Sequence, residues 1–137
     1  MKNTAIIKYF VDTSELINAI FERTQFAKRF LLDREKHKIT NDYVIDEFRR
    51  VLQVKFSIPP NDIYYFEEII NDNIEVYPTA PSNRFRKLKL RDKSDRPIVQ
   101  GAIDHGCILV IDDYHTYHDA KKYVETLTTE EIYKPKK

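Results

Sequence analysis

The stretch Ile6-Ile7-Lys8-Tyr9-Phe10-Val11-Asp12-Thr13-Ser14-Glu15 reads as a short strand that runs straight into a helix. Its apolar, β-forming residues stop at Asp12. Asp12-Thr13-Ser14-Glu15 then has the form of a helix start, with a capping oxygen on Asp12 and Glu15 at the third helical position. Leu16, Ile17, Ala19, Ile20 and Phe21 continue at helical spacing. A strand followed at once by a helix is the opening unit of an α/β chain, and the rest of the sequence repeats the alternation.

Phe26, Ala27, Phe30, Leu31 and Leu32 suggest a second helix, and Lys38-Ile39-Thr40 a short strand with Asn41 or Asp42 as the next cap. Val44, Ile45, Phe48, Val51 and Leu52 form one helical stripe. After Pro59-Pro60 another helix carries Ile63, Phe66, Ile69 and Ile70, and Ile74 to Tyr77 is a strand ended by Pro78. A basic loop leads to a helix from about Arg96 to His105, closed by Gly106. Ile108 to Ile111 is an apolar strand and Tyr123 to Leu127 the last one. Five strands alternating with helices imply a doubly wound α/β fold, a parallel sheet covered on both faces. In such folds the site lies outside the C-terminal ends of the strands, where strand order reverses.

The 137 residues suit one domain spanning 1–137. Net charge of +1 gives no information about partners, so the distribution of charge has to. Only two glycines occur, Gly101 and Gly106, which excludes glycine-rich phosphate loops of the Walker or dinucleotide-binding kind. Cys107 is the single cysteine, which excludes an internal disulfide and a cysteine-built zinc site, and its apolar surroundings read as core. Ala5-Ile6-Ile7 is cut short by Lys8, so no signal or membrane-spanning segment is expected and the protein is expected to be cytoplasmic.

What carries chemistry is a set of acids. Asp12 ends the first strand; Glu47 sits just outside the apolar stripe of its helix, while Asp46 falls on the solvent side. Asp92 and Asp95 flank the start of the helix carrying Pro97, and Asp112-Asp113 end the fourth strand. Each has a plain structural explanation as a cap, turn or surface residue. Together they follow strand ends as the crevice rule requires. Several carboxylates in one cleft repel and raise one another's pKa, which a divalent cation with hard oxygen ligands relieves, and magnesium or manganese suits such a site.

Phe10-Val11-Asp12-Thr13-Ser14, Asp46-Glu47-Phe48-Arg49-Arg50-Val51-Leu52, Asp92-Lys93-Ser94-Asp95-Arg96-Pro97-Ile98 and Leu109-Val110-Ile111-Asp112-Asp113, in this order, resemble the PIN domain, and within it the VapC-like toxins. The resemblance covers nearly the whole chain. It implies a PIN-like three-layer α/β/α fold with a five-stranded parallel sheet, and a metal-dependent endoribonuclease acting as the toxin of a toxin–antitoxin pair. By position it makes Asp12, Asp95 and Asp113 ligands of Mg²⁺ or Mn²⁺, adds Glu47 to the catalytic acids, and gives Ser14, Asp92 and Asp112 supporting places. It also implies a small antitoxin partner and a homodimer or higher oligomer. One segment departs from the pattern: Ile111-Asp112 stand where a threonine or serine, often with glycine, is usual, and His115 where a further acid often follows. Either Asp112 or Asp113 can then take the fourth place.

Arg84, Arg86, Lys87, Lys89, Arg91, Lys93 and Arg96 crowd the approach to Asp92 and Asp95, and all but Lys93 are expected RNA contacts. His115, His118 and Asp119 read as a polar surface loop rather than a metal triad, and Tyr64, Tyr65 and Phe66 as core and interface. A PIN-like RNA- or protein-binding module without catalysis is the alternative function. A phosphoacceptor receiver domain fits poorly, because it needs an acidic pair on the first strand and a lysine ending the last.

Overall fold

The computed structural model describes residues 6–134; Ala5, part of the segment read for the absence of a leader, lies outside the described residues. The chain runs β1 (Lys8–Val11), α1 (Thr13–Ile20), α2 (Gln25–Leu32), β2 (His37–Asn41), α3 (Asp42–Val54), α4 (Pro60–Asn73), β3 (Glu75–Tyr77), α5 (Arg96–Asp104), β4 (Ile108–Val110), α6 (Tyr114–Ala120), β5 (Thr126–Leu127) and α7 (Thr129–Tyr133). The five strands form one sheet in the order β3-β2-β1-β4-β5, parallel at every pairing. The α/β architecture is the one expected from the alternating pattern.

β1 lies at the centre, so both of its faces need cover. Successive residues point to opposite faces. Tyr9 meets Phe30 of α2 edge-on, ring centroids 5.5 Å apart, whereas the Phe10 ring lies against Gly101 of α5. A Cβ at Gly101 would stand 2.7 Å from two Phe10 ring carbons, so the glycine sets how closely α5 approaches the sheet. β2 alternates likewise. Lys38, 2% exposed, turns to the α2 side and donates to the carbonyls of Phe30, Leu31 and Asp33. It satisfies the C-terminal carbonyls of that helix, and burial lowers its pKa to about 8. Asn41 turns to the other face, where its Nδ2 donates to the Pro97 carbonyl.

Strand order fixes where a site can be. From β1 the chain steps outward through β2 to β3, then returns to place β4 on the other side of β1. The reversal lies between β1 and β4, and the residues just past their C-terminal ends are Asp12 and Asp112-Asp113.

Several elements differ from the sequence reading. β4 stops at Val110 and β5 holds only Thr126 and Leu127, since Tyr123 belongs to the preceding turn. Residues 114–120, read as a surface loop, form α6. Its buried residues are Thr116, Asp119 and Ala120, so polar groups make up most of its inner face and no apolar stripe appears. Asp119 is buried because it accepts the Arg91 backbone N–H at 3.0 Å. Tyr64 and Tyr65 are exposed rather than core, and Phe66 is partly buried against it. Cys107 is buried, as expected. Among the described residues no helix is long and apolar enough to cross a membrane.

Candidate metal-binding active site

A cleft of about 450 Å³ opens at the β1/β4 reversal, and Asp12, Ser14, Glu47, Asp92, Asp95 and Asp113 are among the residues that line it. A larger groove of about 810 Å³ lies elsewhere, between residues 34–38 and 71–77, where β2 and β3 begin. The topological rule favours the smaller one.

Asp12 is 4% exposed. Its Oδ2 accepts from the Ser14 N–H at 3.0 Å and the Ser14 hydroxyl at 2.6 Å, so it caps α1 while facing the cleft. Capping α1 and lining the cleft are compatible for this side chain, so the two readings of Asp12 do not conflict. Burial outweighs these hydrogen bonds and, with the charge of Glu47, lifts its pKa to about 6.

Glu47 reaches the cleft from α3, and its Oε1 accepts a short hydrogen bond from the buried Thr13 hydroxyl. Asn41 sets the position of α3: its Oδ1 caps Val44 N–H while its amide bonds to Pro97 at the start of α5. The Tyr43 hydroxyl adds a second tie, donating to the Ser94 carbonyl at 2.7 Å. The helix that carries Glu47 is thus fastened to the segment that carries Asp95. Asp46 is exposed and pairs with Arg49, as its helical position implies.

Asp95 precedes α5 but spends no side-chain hydrogen bond on capping it. Asp92 does the local capping instead, accepting from Ser94 N–H at 2.9 Å and Oγ at 2.7 Å. The Asp95 carboxylate is left to the cleft. Burial, then the charges of Asp12, Asp92 and Glu47, raises its pKa to about 7 against the opposing Thr116 hydrogen bond.

Asp113 and Asp112 part company. Asp113 lines the cleft and caps α6, accepting the Thr116 N–H at 3.0 Å. Asp112 turns away, accepting from Thr129 N–H at 3.2 Å and facing the buried Glu15. The supporting place given to Asp112 is therefore corrected: its side chain supports the start of α7 and α1, not the cleft. Asp113 is the acid of the pair that borders it.

Sequence reasoning missed Thr13 and Thr116. The Thr116 hydroxyl lies 2.8 Å from Oδ2 of both Asp95 and Asp113. A hydroxyl has one proton to give, so the second contact is favourable when one acid is itself protonated. That suits the raised pKa of Asp95. A threonine inside a helix gives no sequence signal of this, because only the fold brings Asp95 to it.

The basic run does not gather at the cleft. Arg84 pairs with Asp104 beside a different cavity, and Arg96 donates to the Leu88 carbonyl. Arg91 contacts Asp119 and His115 in a small cavity that shares Asp92, Asp113 and Thr116 with the cleft. Arg86, Lys87 and Lys89 are exposed and do not line the cleft. Its lining cations are Arg23 and Lys55, which no sequence pattern had marked.

Among the described residues, no three Asp, Glu, His or Cys side chains stand close enough to share one ion directly. Magnesium binds through one or two carboxylates and keeps several waters, so the all-oxygen set of Asp12 and Asp95, with Glu47 and Asp113 lining the same cleft, fits such an ion in donor chemistry. The mutual repulsion already noted between these acids is what a cation there would relieve.

No family model matches this chain, and no curated protein matches it. Solved structures do. A chain of VapBC2 from Rickettsia felis, bound to a DNA fragment from their promoter, is 15% identical over 89% of this chain and 98% of that one, with a TM-score of 0.69. DNA-bound VapBC from Salmonella typhimurium gives 16%, 90%, 98% and 0.69 in the same order. PAE2754 from Pyrobaculum aerophilum gives 16%, 93%, 87% and 0.67. Identity this low speaks for the fold alone, and in fold the chain is a match to the PIN-domain proteins of the VapBC kind.

Proposed function

We propose that the cleft is the active site of a metal-dependent endoribonuclease, the toxin of a toxin–antitoxin pair. The observation that carries this reading is the gathering of Asp12, Glu47, Asp95 and Asp113 from four separate segments around one cleft at the strand-order reversal. Asp12 and Asp95 would hold Mg²⁺ or Mn²⁺, with Asp113 beside them in the cleft adding negative charge. Such an ion, when bound, polarises a phosphoryl oxygen and lowers the pKa of bound water. Ser14 fixes the Asp12 carboxylate, and Thr13 fixes Glu47, which then orients and deprotonates the attacking water. Attack in line on a phosphodiester leaves a 5′-phosphate and a 3′-hydroxyl. VapBC and FitAB structures among the neighbours are two-component assemblies by name, which supports a small antitoxin as partner.

A second reading, a PIN-like binding module without catalysis, draws on the spacing of the acids, since no three of those described converge on one point. Cleavage of end-labelled RNA separates the two. The enzyme reading expects cutting with Mg²⁺ or Mn²⁺, none with a chelator, and a loss of at least about a hundredfold in Asp12→Asn. RNA that is bound but left whole under every metal condition selects the module.

A further inference from the structure

The acidic cleft has a cationic lip on its α1–α3 side. Arg23 stands in the turn after α1 and Lys55 follows α3, and both line the cleft that holds the acids. They share one aromatic support. The Phe21 and Phe56 ring centroids are 4.8 Å apart; the Arg23 guanidinium lies 5.7 and 5.6 Å from them, and the Lys55 ammonium 5.6 Å from Phe56. A cation over a ring is held in place without losing its charge.

Neither cation forms an ion pair among the described residues. Other cations nearby are neutralised locally: Lys28 by Glu22, Arg49 by Glu67, Arg50 by Glu47, Arg91 by Asp119. Arg23 and Lys55 therefore present positive charge at the mouth of a cleft whose floor is negative. A negatively charged strand crossing that floor meets repulsion from the acids, and cations beside it offset that cost.

The backbone at both turns is specially shaped. Glu22 (φ 51°) and Ser57 (φ 52°) are the two non-glycine residues with positive φ among those described, and they adjoin Arg23 and Phe56. Glu22 donates to the Ala19 carbonyl and Arg23 to that of Asn18, so the α1 end forms a Schellman turn that aims the Arg23 chain outward. A left-handed conformation is strained for such residues and persists where surroundings enforce it.

We propose that Arg23 and Lys55 form a phosphate-binding lip that seats the RNA backbone beside the scissile phosphate. This rests on the ribonuclease reading of the cleft. Phe21 and Phe56 are half-buried and already covered by the two cations, so the lip holds phosphates independently of base identity rather than stacking bases. It makes the α1–α3 side of the cleft part of the substrate track, in place of most of the 84–96 run.

The test is cleavage kinetics of an unstructured RNA by the full chain over a range of KCl. The double variant Arg23→Ala/Lys55→Ala is compared with wild type and with Arg34→Ala, which removes an exposed cation from the far groove. We expect KM to rise about tenfold or more in the double variant. Its dependence on salt should become shallower by about 1.4 in log–log slope, the value for two single-strand phosphate contacts. Mn²⁺ binding should stay as in wild type, which shows the acidic site intact. Arg34→Ala should leave KM as it was. Lys55→Gln alone, at an exposed position, should give about half the change in slope, and serves if the double variant does not fold. Unchanged KM and salt slope in a variant that binds Mn²⁺ overturn the proposal, as does a variant impaired only in binding a protein partner. If wild type itself cuts no RNA, the ribonuclease reading fails first and the lip falls with it.

Discussion

Glu15 sits in the first turn of α1, 2% exposed, with neither carboxylate oxygen bonded to a donor. It faces Asp112, and burial, then that contact, then the charge of Asp12 hold its pKa well above 4.5. The hydrogen bond open to the pair is one proton held between two carboxyl groups. A folded-state pKa above the unfolded value means that the native chain keeps a proton the unfolded chain releases. The stability due to Glu15 is thus fully present below about pH 4.5 and is lost as pH rises through the folded pKa. Glu15→Gln supplies a permanent N–H donor to Asp112. It should raise stability at pH 8 by about 1 kcal/mol and flatten the fall between pH 5 and 8, read from denaturant midpoints at both pH values. A variant less stable than wild type at pH 8 would show that Asp112 is not its partner. Sequence made Glu15 a capping glutamate because the cap signal is local, and made Asp112 a rival of Asp113 because adjacent residues look alike until the backbone direction past β4 is known. Asp12 was legible since a strand-end position is written in the chain; Thr116 and Arg23 were not, since one partner of each, Asp95 and Phe56, is far away in sequence.

At the scale of elements, two backbone positions decide how the site is framed. Gly101 lets α5 lie against Phe10, and α5 begins where Asp95 ends. Gly101→Ala pushes a Cβ into the Phe10 ring and close to the Asn41 amide, 3.2 Å away. It should cost about 1–3 kcal/mol, seen as a lowered thermal midpoint. Wild-type stability in that variant would mean the helix–sheet spacing is not set there. Glu22 occupies the left-handed place of the Schellman turn, where glycine is the usual residue. Glu22→Gly should stabilise the fold by about 0.5–1 kcal/mol, because its exposed pair with Lys28 contributes little. A midpoint lowered by the change would show the pair outweighs the strain. The long amphipathic helices α3 and α4 were plain in the sequence because their apolar stripes are wide. The short α6 was not, since it packs by a hydrogen bond that Thr116 donates to Asp95 and one that Asp119 accepts from the Arg91 N–H rather than by an apolar stripe.

Across the whole molecule, the acids of the cleft would couple the proposed metal binding to pH and to stability. Asp12 and Asp95 have folded-state pKa values of about 6 and about 7, against ordinary values of 3.8. In the metal-free chain both acids cost stability as pH rises from about 4 through 6 and 7, since the unfolded chain ionises them freely. A divalent cation competes with these protons and so binds more tightly as pH rises. Saturating Mn²⁺ should therefore raise the thermal midpoint by about 5 °C or more at pH 8 and by little at pH 5. An equal gain at both pH values would place the ion elsewhere. Topology was the part of the molecule most open to sequence analysis: alternating elements implied the parallel sheet, and the reversal rule then placed Asp12 and Asp113 without side-chain information. The charge around the mouth was not, because the run at 84–96 is dense in sequence yet largely paired or turned elsewhere in space.

In the proposed site Asp12 and Asp95 hold one divalent ion between them. Mn²⁺ titration followed by electron paramagnetic resonance at pH 7.5 tests it with no need for a substrate. Wild type should show saturable binding, and Asp12→Asn and Asp95→Asn should each weaken it by at least about tenfold while remaining folded. Binding that is absent in wild type, or unchanged in both variants, would mean that Asp12 and Asp95 hold no such ion.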